Sequence, residues 1–238
     1  MEPTFNRPAY QSPTQSLAVS QFMSKVFLWM TIGILLTAFV AVGISNSPDV
    51  VMMIATNTIL YWGLFIAEIG LVFWLSARIN KMAPVMATSM FLLYSLLSGV
   101  TLSIIFLLYT RESIASIFFT TAAAFAGLSA FGFFTKKDLG PVGNFCTMGL
   151  FGMVGFSLLS WIFPSMMGSV ASKVYNLVGL IVFSGLTAWD TQKIKQMAPF
   201  HRSSDEAQRG AILGALMLYL DFINLFMILL RLGGNRRN

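Results

Sequence analysis

The chain has 238 residues, 56% of them apolar and 10% charged, with 22 phenylalanines and 15 methionines. A water-soluble domain of this length cannot hide so much apolar surface, so the composition excludes that class and leaves an all-α integral membrane protein. The net charge of +6 sits in short loops that meet lipid headgroups, which removes nucleic acid as a partner.

In chain order, residues 1–25 read as a flexible polar tail. This stretch is too long and too weakly basic for the n-region of a cleaved signal peptide. Seven apolar runs follow at 26–45, 52–77, 84–108, 114–134, 145–163, 172–190 and 210–231, each near the ~20 residues that a span requires. The breaks between them, such as "RINKMAP" and "TKKDLGPVG", are short. Residues 26–231 therefore form a single seven-helix transmembrane domain, followed by a short basic tail at 232–238.

Lysine and arginine favour the cytoplasmic side. A cytoplasmic N-terminus places Arg7, Lys25, Arg78, Lys81, Lys136, Lys137, Lys193, Lys195, Arg202 and Arg209 inside, and Arg111, Lys173, Arg231, Arg236 and Arg237 outside. That orientation is favoured. The tail "RLGGNRRN" opposes it, because an odd number of spans leaves its arginines outside.

Cys146, the one cysteine, excludes an internal disulfide framework and a Cys-based metal cluster. His201, the one histidine, lies in a loop and argues against His-based catalysis. Small residues recur at helix-contact spacing in Ala122, Ala126 and Ala130, in Gly149, Gly152 and Gly155, and in Gly210 and Gly214, so that backbones approach closely in lipid.

Three acids stand inside the apolar runs: Glu68, Asp190 and Asp221. Charges at membrane depth cost several kcal/mol or more and are usually functional. On the last helix Gly210, Gly214, Met217, Asp221 and Asn224 fall along one stripe, while the other faces carry Leu, Ile and Phe. A helix that hides a small, polar stripe belongs at the centre of a bundle, with its acid pointing into protein and Asn224 bonding a neighbouring helix. Asp190 closes the sixth run and Arg78 closes the second, so the topology brings Asp190, Arg78 and Asp221 to a similar depth. Glu68 points away from Arg78 and is an ion-path ligand or a neutral, hydrogen-bonded acid.

Two carboxylates about 4 Å apart repel by about 4 kcal/mol at an effective dielectric near 20. Such a pair shares one proton and titrates as a unit. Arg78 or a metal ion can replace the proton, and hard oxygen ligands favour calcium. Chemistry alone thus yields a proton-sensitive, cation-attracting gate. An intramembrane aspartyl protease would also carry two aspartates, but its Gly-x-Gly-Asp is missing because Asp221 follows "LYL". No HExxH, CxxC or Gly-rich phosphate loop occurs either, so no catalytic residue is assigned and no enzyme is expected.

"GLTAWDTQKIK" together with "LYLDFINLFMILLRLGG" closely resembles the last two helices of the Bax inhibitor-1 (TMBIM or LFG) family, and helix number, tail and loop lengths agree over nearly the whole chain. The resemblance implies a last helix wrapped by six others and a calcium leak under a di-aspartyl pH sensor. It carries that sensor onto Asp190 and Asp221, the latch arginine onto Arg78 and the acid of the second helix onto Glu68. Trp189 departs from the usual Tyr or Phe. Bacterial relatives lie in the inner membrane and some bind a membrane protease, and the short basic tail looks bacterial. Calcium is then a permeant or bound ion, with no other cofactor. A proton-coupled cation exchanger and a non-conducting regulator of a membrane protease are the alternatives.

Overall fold

A computed structural model describes residues 13–198 and 203–237, with side chains from residue 16 onward. His201 and the first twelve residues of the expected tail lie outside the described residues. Nine helices are found among those described: α1 Pro13–Ser45, α2 Pro48–Thr56, α3 Thr58–Arg78, α4 Pro84–Leu102, α5 Ile105–Leu108, α6 Arg111–Phe134, α7 Gly140–Ile162, α8 Ser169–Met197 and α9 Ser204–Gly233. Seven of them are long and apolar enough to cross a membrane, with α5 continuing the span of α4 and a 3-10 turn, Ile79–Lys81, closing that of α3. The protein is an all-α membrane bundle.

Several boundaries differ from those read in the sequence, each for a local reason. Helix begins at Pro13 rather than at residue 26, because Val19, Phe22 and Met23 supply a buried face inside the supposed tail. The helix expected over 52–77 is two. Pro48 starts α2 with its preset φ, and Asn57 ends it by capping α3, its Oδ1 accepting the Leu60 N–H at 3.0 Å. The run 84–108 breaks at Ser103, whose hydroxyl donates back to the Val100 carbonyl at 2.6 Å. α8 does not stop at Asp190 but continues to Met197, so that acid lies inside a helix. Ser203 caps α9 by accepting the Glu206 N–H at 3.2 Å, and helix persists to Gly233 within the expected tail.

Packing sorts the helices by burial. α9 has 61% of its apolar window buried, against at most 39% for any other span. It packs on α1, α4, α6 and α8, while α3 leans mainly on α4, and α7 on α8. The buried side of α9 includes Ile212, Leu216, Leu218, Tyr219, Leu225 and Leu230. The exposed apolar residues elsewhere, among them Phe39, Phe73, Phe119, Phe151 and Ile181, form the surface that a bilayer covers.

The tail does not hang free. Arg236 pairs with Tyr109 in an isolated antiparallel bridge. Thr110 N–H donates to Asn235 O at 3.2 Å, and Arg237 N–H to Leu108 O at 2.9 Å. Asn235 N–H meets the Ser113 hydroxyl at 2.8 Å. The tail arginines therefore share a face with Arg111, opposite the face on which α1 starts.

Candidate functional site

The site grows from the contact of α8 with α9. Its closest approaches are made where side chains are missing. A methyl group at Gly132 of α6 would overlap the carbonyl oxygen of Ala188, and one at Gly143 of α7 would overlap the Trp189 indole. These two glycines let α6 and α7 close on α8 one or two residues before Asp190. At Gly214 a methyl group would meet Ile194 at 3.0 Å and Val26 at 3.3 Å, which sets α9 between α8 and α1. Neither Gly132 nor Gly143 is among the small-residue stripes read in the sequence, although Gly143 precedes Gly149, Gly152 and Gly155 at multiples of three and Gly132 follows Ser129 by three. The stripes themselves fare unevenly. Gly149 meets Val182, but nothing lies within 4 Å of a methyl at Gly152 or Gly155, and Ala122, Ala126 and Ala130 line a cavity.

The residues after Asp190 have separate tasks. Thr191 is fully buried and donates to the Thr187 carbonyl at 2.8 Å, so its hydroxyl is satisfied within α8. Gln192 reaches the α6–α7 connection: its Nε2 donates to Lys137 O at 2.8 Å and its Oε1 accepts the Leu139 N–H at 2.9 Å. Lys195 donates to Phe133 O at 2.6 Å and lies over the Phe133 ring. Together these bonds tie the connection and the end of α6 to the turns of α8 that follow Asp190.

The carboxyl groups of Asp190 and Asp221 face one another across the α8–α9 contact. An ionised carboxylate only accepts, so two carboxyl groups in contact can hydrogen-bond only when they share a proton. Asp221 is 5% exposed, and Asp221 Oδ2 and Asp190 Oδ1 are buried with no protein donor. The nearest cation in electrical terms is Lys193, one turn beyond Asp190 and stacked on Trp189 at 4.8 Å. An i, i+3 spacing could have revealed it in the sequence.

The remaining candidates stand elsewhere. Arg78 is exposed at the end of α3, and no ion pair among the described residues joins it to either aspartate. Its neighbour Ile79 is buried, in a 3-10 turn that packs on α9. Asn224, expected to bond a neighbouring helix, instead donates to the Leu220 carbonyl of its own helix at 2.8 Å and is exposed, because the stripe turns outward beyond Asp221. Glu68 accepts the Thr101 hydroxyl at 2.5 Å between α3 and α4.

A second polar cluster was not read from the sequence. The Thr37 hydroxyl donates to Ser95 O at 2.8 Å and lies 2.7 Å from the Tyr219 hydroxyl. Tyr94 and Phe91 pack edge-on against the Tyr219 ring. Tyr219 and Asp221, two residues apart, thus face different neighbours, α1 and α4 for the phenol and α8 for the acid. Among the described residues no three His, Cys, Asp or Glu side chains converge. Calcium prefers six to eight oxygen ligands, so two carboxylates suit a passing ion better than a resident one.

Comparison with known proteins finds relatives over nearly the full length. The family described as "Inhibitor of apoptosis-promoting Bax1" matches residues 19–238. Inner membrane protein YbhL of Escherichia coli K12 is 47% identical over 218 residues, covering 91% of this chain and 92% of the relative. A protein of Borreliella burgdorferi is 39% identical over 229 residues, covering 96% and 97% of the two chains. One of Rickettsia prowazekii is 38% identical over 221 residues, with 92% and 91% covered.

Proposed function

The chain belongs to the Bax inhibitor-1 family, and from that premise we propose that this multi-pass protein of the bacterial inner membrane is a pH-sensitive calcium leak gated by Asp190 and Asp221. The observation that carries the reading is the carboxyl pair that meets between two spanning helices, with Asp221 buried and Asp190 half-buried. While one proton is shared, α8 and α9 stay joined and Arg78 remains outside, as it is here. When the proton leaves, two negative charges in contact repel by about 4 kcal/mol, which biases a two-state element about a thousandfold. A cation then takes the proton's place. Arg78 closes the path as a latch, and calcium competes with it for the same oxygens. Glu68 and Asn224 serve as polar stations for the ion. No catalytic step is assigned.

Calcium uptake into proteoliposomes at graded pH tests the reading. Wild-type protein passes calcium down its gradient with a pH-dependent rate. Asp190→Asn and Asp221→Asn each flatten that dependence, and Arg78→Ala raises the flux at high pH. Obligatory proton counterflow would instead make the protein an exchanger. Flux absent at every pH, with capture of a membrane protease, would make it a regulator. An unchanged pH profile in both aspartate variants removes the sensor.

A further inference from the structure

Both α1 and α6 pack on α9, yet they stand apart from one another. Between them lies a cavity of about 580 Å³ in the half where α1 starts and another of about 270 Å³ in the half where α1 ends. Ile34, Phe118 and Phe222 line both, so the two cavities adjoin along one slot between the helices. At this depth the surrounding solvent is hydrocarbon. The smaller cavity is apolar along Ala38, Ile105, Ala115 and Phe226, and Arg111 lies at its end.

Arg111 is held there by a 2.9 Å bond from its Nη2 to Asn46 Oδ1, at the end of α1. The pairing of the tail with Leu108, Tyr109 and Thr110 brings Arg236 and Arg237 to the same corner. All three guanidinium groups belong to exposed residues, and none has an ion-pair partner among the described residues. The acids of this end, Asp49 and Glu112, start α2 and α6 and leave the corner with a surplus of positive charge. These arginines are also the residues that run against the usual distribution of charge across a membrane. An apolar slot with unpaired guanidinium groups at one end matches a molecule with a hydrocarbon tail and an anionic head.

We propose that this slot is a binding site for an anionic phospholipid of the leaflet on the tail's side. One acyl chain lies between α1 and α6 against Phe222 and Phe226, and the phosphate is bound by Arg111 together with Arg236 and Arg237. Guanidinium groups bind phosphate through paired, charge-assisted hydrogen bonds.

Native mass spectrometry of the full chain, released from detergent with equal amounts of phosphatidylglycerol and phosphatidylcholine of identical acyl chains, tests the site. Wild-type protein retains phosphatidylglycerol in preference. Arg111→Gln lowers the ratio of the two lipids about fivefold, the effect of about one surface arginine. Ala38→Phe fills the slot and lowers retention of both lipids, and Ala115→Phe does so from the opposite wall should the first variant fail to fold. Phe39→Ala, on an exposed residue outside the slot, changes neither. Equal retention of the two lipids by wild-type protein, or a ratio untouched by Arg111→Gln, overturns the proposal. So does a dimer of this chain that Ala38→Phe dissolves, because a second copy would then occupy the slot.

Discussion

Gly132 offers a test in which two opposing effects can be weighed. Adding a methyl group to a helical glycine ordinarily stabilises the helix by up to about 1 kcal/mol. At Gly132 the methyl would overlap the Ala188 carbonyl group, which is helix backbone and cannot rotate away as a flexible side chain would. Overpacking of this kind costs about 1–3 kcal/mol, and rigid backbone on both sides puts the cost near the upper limit. The net expectation for Gly132→Ala is a loss of about 2 kcal/mol, or roughly 4–8 °C in melting temperature for a chain of this size. Gly152→Ala is the matched control, since a methyl there meets nothing within 4 Å. Tryptophan fluorescence during heating in detergent reads both variants. A Gly132→Ala protein that melts at or above the wild-type temperature would refute the claim that α6 and α8 touch through backbone at this point.

Two further substitutions probe the surroundings. Tyr219→Phe deletes a hydroxyl that bonds Thr37 at 2.7 Å but leaves Thr37 its bond to the Ser95 carbonyl. The expected loss is therefore about 1 kcal/mol, read by the same melting experiment, and a loss several times larger would mean that the cluster acts as a unit. Gln192→Ala frees the Lys137 carbonyl and the Leu139 N–H, so trypsin should cut faster after the exposed Lys136 and Lys137. An unchanged cleavage rate would show that the connection is held by other contacts.

Seven spans and the meeting of Asp190 with Asp221 were both legible in the sequence. Length and hydropathy gave the first, because a bilayer imposes one span length on every helix. The second followed from topology, since antiparallel neighbours bring the end of one helix to the early part of the next. Other features depend on contacts that no local pattern records. Asp190 looked like a helix end because polar residues follow it, yet Thr191 and Gln192 are polar for the sake of the α8 backbone and the α6–α7 connection. Gly132 and Gly143 do not differ in the sequence from the other glycines of their helices and matter through Ala188 and Trp189. The Ala122, Ala126 and Ala130 stripe has the spacing of a helix contact but borders the slot between α1 and α6. The break at Asn57 was available from its capping chemistry.

The three hydrogen bonds that fasten residues 235–237 to the end of α5 and the start of α6 have a mechanical result. A helix whose far end is stitched to a neighbour cannot ratchet along its axis by a turn, about 5.4 Å, without tearing those stitches. α9 is therefore free to tilt or roll but not to slide relative to α6. Any parting of the two aspartates then comes from a tilt or roll of the helices and not from a slide of α9, with Trp189, one residue before Asp190, as a built-in optical marker of it.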